Sequence, residues 1–142
     1  MREGIVIESG DWASLNEACS HIRRIVFIQE QGVSESDELD DLDSECLHFL
    51  MHDGAVACGT ARLLPDGHIG RVAILASHRG RGLGVQLMYH VIDSARARGF
   101  TRCELSAQTH ALGFYKQLGF VAHGEVYSEA GIDHRDMTLR LA

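Results

Sequence analysis

Between Arg79 and Gly84 the chain reads Arg-Gly-Arg-Gly-Leu-Gly, three glycines at alternate positions with two arginines among them. An apolar strand pattern, Ile69 to Leu75, leads into a short polar turn, Ala76 to His78, and an amphipathic helical pattern begins directly after the glycines. That order suits anion binding. The first N–H groups of a helix have no partner inside it, and the helix dipole adds partial positive charge at that end. Glycine lets the main chain approach a phosphate with no side chain in the way. A Walker A loop is excluded, because no Gly-Lys is followed by Ser or Thr. A dinucleotide fingerprint fits poorly: the glycines run G-x-G-x-G, lie mid-chain and follow a predicted antiparallel meander. The pattern R-x-x-G-x-G is met by Arg79, Gly82 and Gly84.

Other reactive residue types are scattered. Nine histidines are too many for all to do chemistry. His48 and His52 have the spacing of a metal pair but lack the adjacent glutamate of a zinc protease, so a structural role is expected and no metal site is assigned. Cys19, Cys46, Cys58 and Cys103 form no C-x-x-C pair, which suggests reduced thiols in a cytoplasmic protein. Ser34 to Glu45 is acidic and is read as a solvated loop. It lacks the glycine turn and terminal glutamate of a calcium loop, and a rim attracting an amine is the sharper alternative.

The elements that position these groups follow from periodicity. Ile5 to Glu8 reads as a strand, and Ser9 or Asp11 can cap the helix after it. Leu15, Ala18, Cys19, Ile22, Ile25, Val26 and Gln29 repeat at three and four, predicting one helix up to Gln31-Gly32. Leu47–Met51, Ala55–Leu64 and His68–Leu75 read as a meander, with turns at Asp53-Gly54 and Pro65-Asp66-Gly67. A helix over Leu83 to Arg98 carries the stripe Leu83, Leu87, Met88, Val91, Ile92, Ala95 and stops at Gly99. Phe100 to Ala107 is then a strand parallel to the one before the helix. Thr109 starts a short helix ending at Leu118-Gly119. Val121–Tyr127 and His134–Leu141 close the chain as strands joined across Ser128 to Ile132.

Composition sets the bounds. A chain of 142 residues predicts one domain, 1–142, with a real core. A net charge of −7 argues against non-specific nucleic-acid binding and is compatible with a cationic substrate. No apolar run is long enough to span a membrane, and the N-terminus has no signal-peptide pattern.

With these motifs in place, the chain resembles the GNAT superfamily of N-acetyltransferases. R-x-x-G-x-G is that family's pyrophosphate signature. Ile69-Gly70-Arg71-Val72-Ala73-Ile74 resembles its central strand, and Ala111-Leu112-Gly113-Phe114-Tyr115-Lys116-Gln117-Leu118-Gly119-Phe120 resembles its second signature helix. Val26 to Gln31, Ala107 to His110, Glu125 to Tyr127 and Gly131 to His134 are similar to segments of the ElaA-like branch.

The resemblance implies an α/β (α+β) GNAT fold: a mixed, mostly antiparallel sheet with a splayed parallel strand pair, flanked by helices. It implies acetyl transfer from acetyl-CoA, with no metal, to a primary amine of a small molecule or, less favoured, a peptide. Val72, Ala73 and Ile74 would bind pantetheine through the main chain, with the Ile74 N–H at the thioester carbonyl. Arg79, Gly80, Arg81, Gly82, Leu83, Gly84 and Val85 would wrap the pyrophosphate. Gln108 stands where many relatives carry Asn and is a further cofactor contact. Tyr115 matches the general acid, since a phenol stays protonated at neutral pH and can serve a leaving thiolate. His134 is the preferred base and His110 the second. Arg23, Glu30 and His110 are candidate acceptor-binding residues. Many small members pair, so a homodimer is allowed. A non-catalytic acyl-CoA sensor and, on the glycine turn alone, a nucleotide-dependent oxidoreductase are the competing readings.

Overall fold

The computed structural model describes residues 4–141. Seven strands and four α-helices follow in the order β1 (Ile5–Gly10), α1 (Trp12–Arg23), α2 (Glu35–Glu38), β2 (Leu47–Asp53), β3 (Val56–Leu63), β4 (Ile69–Ile74), α3 (Leu83–Ala97), β5 (Arg102–Gln108), α4 (Leu112–Gln117), β6 (Val121–Glu129) and β7 (Ile132–Arg140) among the described residues. Strands β1-β2-β3-β4 form one antiparallel sheet and β5-β7-β6 another. The two meet along β4 and β5, where the only bridge among the described residues is a parallel one between His68 and Glu104. The Glu104 N–H donates to the Gly67 carbonyl at 3.1 Å beside it. Past that point no bridge joins the two strands among the described residues, which is the splayed parallel pair expected.

Local signals placed most elements well. Asp11, rather than Ser9, caps α1, its Oδ1 accepting the Ser14 N–H at 2.9 Å. The stripe of α3 is the one read from the sequence: Leu83, Leu87, Met88, Val91, Ile92 and Ala95 are all buried. They close a core with Phe49 and Met51 of β2, Leu63 of β3, and Leu105 and Met137 of the second sheet.

Three details differ. The first helix is not uniform, because Arg24–Glu30 continues α1 as a π-helical turn, with the Gln31 N–H reaching back five residues to the Val26 carbonyl. π-Turns inside helices commonly occur at functional sites. The first hairpin turn is Gly54-Ala55, one residue later than expected, since Asp53 pairs with Val56. The last hairpin is tighter: β6 and β7 run on to Glu129 and Ile132, leaving only Ala130 (φ +53°) and Gly131 (φ +76°) between them.

The acidic stretch departs most from expectation, because it is a solvated loop only in part: most of Ser34–Glu45 is exposed, but two of its carboxylates are not. Glu38 and Asp43 are each 5 % exposed. Arg23, 1 % exposed, donates to both carboxylates, from Nε and Nη2 to Glu38 at 2.9 and 3.0 Å and from Nη1 and Nη2 to Asp43 at 2.9 and 3.0 Å. Arg62 of β3 donates to Asp40 at 2.6 and 2.9 Å and to Asp43 at 2.9 Å. Burial opposes charge on Asp43, but the hydrogen bonds and charge of Arg23 and Arg62 outweigh it and hold its pKa below the usual carboxylate value. His48 is structural, as expected. It is buried with Nε2 at 2.8 Å from the Asp43 carbonyl, and burial lowers its pKa.

Candidate active site

The divergence of β4 from β5 opens a cleft of about 790 Å³. The π-helical turn, the α2 stretch, α4 and the start of β7 complete its walls. A bulge shapes the β4 wall: Arg62 pairs with Gly70 but Thr60 with Ala73, so Arg71 and Val72 together face Ala61. Arg71 holds φ at +52°, a value side-chain-bearing residues rarely adopt.

Main-chain direction beyond the bulge follows from the ladder. The Leu75 N–H donates to the Cys58 carbonyl on β3 at 2.8 Å. Successive antiparallel residues alternate in direction, so the Ile74 N–H and C=O point away from β3, into the cleft. Val72, Ala73 and Ile74 all line it.

Beyond Arg79, the last residue of this stretch to line the cleft, Gly80 (φ +76°) and Gly82 (φ +75°) are left-handed. No side chain caps α3 behind Gly82, which leaves the N–H groups of Leu83, Gly84 and Val85 at an open helix start. The Leu83 side chain is buried in the core, so only its main chain is available there. A Cβ on Gly84 would lie 3.3 Å from the Phe114 ring, so glycine here also lets α3 pack closely on α4. An uncapped helix start beside positive-φ glycines suits a pyrophosphate, and an outward-facing strand edge suits an amide-bearing arm. The residues therefore fit an acyl-CoA.

The arginine side chains are turned elsewhere. Arg79 donates from Nε to the Ile74 carbonyl at 2.8 Å and pairs through Nη2 with Glu30 at 2.8 Å. Arg81 lies 3.6 Å from Asp53, which also contacts His78 Nε2 at 3.1 Å.

Tyr115, on α4, packs edge-on against Phe114 and Phe120 with ring centroids 5.0 and 6.0 Å apart. It lines the cleft, and burial pushes its pKa up to about 12. His134 is 8 % exposed and lines the same cleft. Its Nδ1 lies 2.7 Å from the Ile132 carbonyl, which can only accept, so Nδ1 carries the proton and Nε2 presents a lone pair when the ring is neutral. Glu129 approaches Nε2 at 3.9 Å, and Tyr127 stacks on the ring at 6.1 Å. Gln108, opposite His134 in the β5–β7 register, donates to Gln31 at 2.8 Å and accepts from His110 Nε2 at 2.7 Å. His110 thus orients Gln108 through its ring N–H.

Two acceptor-side expectations change. Arg23 does not line the cleft, and both of its carboxylate partners are internal, so its donors are not free for a substrate. Glu30 does line the cleft, but it is paired with Arg79. The residue missed is Arg71. The sequence reads it as part of an apolar strand, where a lone charged position is itself a signal. Among the described residues no group of three metal-binding side chains is found, and no helix is long and apolar enough to cross a membrane.

Known proteins share this architecture and much of its sequence. The family profile for the acetyltransferase (GNAT) domain matches residues 25–141. The uncharacterized protein YyaT of Bacillus subtilis is 38 % identical over 136 residues, covering 92 % of this chain and 91 % of its own. ElaA of Escherichia coli is 32 % identical over 128 residues, 84 % of each chain. The ElaA crystal structure has a TM-score of 0.84 at 28 % identity, covering 94 % of this chain and 98 % of its own. An acyl-CoA N-acyltransferase from Pseudomonas aeruginosa has a TM-score of 0.83 at 31 % identity, with coverage of 94 % and 98 %. With signature, cleft and relatives in agreement, the chain belongs to the GNAT acetyltransferase family, in its ElaA-like branch.

Proposed function

We propose that this protein transfers the acetyl group of acetyl-CoA to a primary amine of a small molecule, by direct attack within a ternary complex. The observation that carries this reading is the Ile74 N–H. It is turned into the β4–β5 gap, and His134, whose Nε2 presents a lone pair, lines the same cleft. The glycine turn and α3 start hold the pyrophosphate, and the outward edge of Val72 to Ile74 holds the pantetheine arm.

The Ile74 N–H donates to the thioester oxygen as negative charge develops there. His134 Nε2 takes the proton from the attacking amine. The C–N bond forms as C–S breaks, and the departing thiolate takes its proton from Tyr115. A phenol held at about 12 stays protonated for that task throughout the neutral range. Gln108, fixed between Gln31 and His110, contacts the cofactor arm.

Thiol release from acetyl-CoA across a panel of primary amines tests the reading. Amine-dependent release is expected, and it should fall about 10²- to 10⁴-fold in His134→Gln. Tight CoA binding with no amine accepted would instead make the protein a sensor of acyl-CoA.

A further inference from the structure

Three arginines and three carboxylates meet behind the acceptor end of the cleft, and their pairing is uneven. Arg23 holds Glu38 and Asp43. Arg62 holds Asp40 and Asp43. Arg71 has no carboxylate to itself. Its Nη2 donates to the main-chain carbonyls of Glu38 at 2.8 Å and Asp37 at 3.3 Å, and reaches only the Asp40 oxygen already used by Arg62, also at 3.3 Å. Its Nε is covered and has no acceptor. Yet Arg71 sits on the β4 bulge, lines the cleft, and leaves 24 % of its side chain open. Burial and the neighbouring Arg62 and Arg23 charges pull its pKa below the ordinary arginine value, which marks a place short of negative charge.

We infer that Arg71 is the acceptor anchor: the amine substrate carries an anionic group, a carboxylate or a phosphonate or phosphate, that pairs with the Arg71 guanidinium. This rests on the transfer reading above. Planar guanidinium donors suit such oxyanions. The cleft is polarised to match. Arg71 lies three residues from Ile74, roughly 10 Å of strand, and Glu129 sits beside His134 Nε2 at the reacting end. The acceptor is therefore a zwitterion, its anion at the bulge and its amine, several bonds away, near Glu129 and His134.

The test compares 6-aminohexanoate, 5-aminopentylphosphonate and the uncharged control 6-aminohexanamide. Binding to the CoA-loaded protein is measured by calorimetry and transfer by thiol release from acetyl-CoA, for the native protein, Arg71→Lys and Arg71→Gln. The native protein should bind one of the anionic amines about ten- to a hundred-fold more tightly than the amide. Whichever anion is preferred identifies the group. Arg71→Gln should lose that preference with CoA affinity unchanged, which also shows that it is folded, and Arg71→Lys should keep part of it. Equal binding of acid and amide by the native protein, or a preference that survives in Arg71→Gln, overturns the inference. Transfer to acid and amide with equal kcat/KM refutes the anchor while leaving the transfer reading intact. An Arg71-dependent binding preference with no transfer to any amine does the reverse.

Discussion

Replacing Arg23 by glutamine separates two incompatible roles for that residue. As an acceptor ligand, its loss would raise KM for the amine and leave stability alone. In the structure it is 1 % exposed and makes four hydrogen bonds to Glu38 and Asp43, themselves almost fully buried. Removing one partner of a buried ion pair typically costs about 3–5 kcal/mol, because the remaining charge stays desolvated. For a chain of 142 residues the unfolding entropy is about 0.3 kcal/mol per kelvin. Arg23→Gln should therefore lower Tm by about 10–17 °C in a calorimetric scan at pH 7. The triple variant Arg23→Met, Glu38→Gln, Asp43→Asn should recover more than half of that loss, since no charge is left without its partner while Arg62 keeps Asp40. A Tm shift below about 3 °C, with a raised KM for an amine and an unchanged KM for acetyl-CoA, would refute the structural role and restore Arg23 to the acceptor site.

Three further outcomes follow from named geometry. Tyr115→Phe should reduce kcat about 10²- to 10⁴-fold with CoA affinity within a factor of two. With Tyr115 held at about 12, the native rate should show no loss of that acid below about pH 11; unchanged turnover in Tyr115→Phe would remove it from the mechanism. Gly82→Ala forces a Cβ onto φ +75° at the start of α3. It should cost about 1–2 kcal/mol and weaken CoA binding measured by titration calorimetry, and native-like affinity would mean that the glycine turn does not carry the phosphates. Acid sensitivity should come partly from Asp40, whose pKa the Arg62 hydrogen bonds hold at about 2. Its folded value lies below its unfolded one. Its contribution, about 1–2 kcal/mol for a partly exposed group, is thus present above about pH 4 and lost as pH falls towards 2. Urea midpoints of Asp40→Asn should vary less than native ones across that window, and parallel profiles would refute the assignment.

What was legible in the sequence was mostly local. The α3 stripe, the Asp11 cap and the turn glycines are each specified by residues within a few positions of one another, so periodicity and turn chemistry find them. The π-turn at Arg24–Glu30 was not legible. Its apolar spacing fits an α-helix, and one widened turn leaves the three-and-four pattern nearly intact. The acidic stretch misleads for a different reason. Glu38, Asp40 and Asp43 look solvated beside their own neighbours, and their partners Arg23, Arg62 and Arg71 lie 15 to 33 residues away on a helix and two strands. Charge pattern along a chain cannot count partners brought in by the fold.

The same distinction divides the cleft. The donor half is built from main chain: positive-φ glycines, an uncapped helix start and a strand edge turned outward by a ladder. Arg79, the most suggestive side chain there, spends its donors on the Ile74 carbonyl and on Glu30. Main-chain geometry of this kind leaves a strong trace in sequence, because it favours glycine. The acceptor half is built from side chains on the π-turn, α2, β4 and β7, elements that meet only in the folded protein. Of its two non-glycine positions with positive φ, Arg71 and Ala130, Arg71 carries a long charged side chain where glycine would relieve the strain. A residue that keeps an unfavourable φ and a buried donor without an acceptor, at the wall of a cleft, has a reason to be there that its own segment does not supply. On this reading the reason is the acceptor, and for that half of the site side-chain chemistry rather than motif decides specificity.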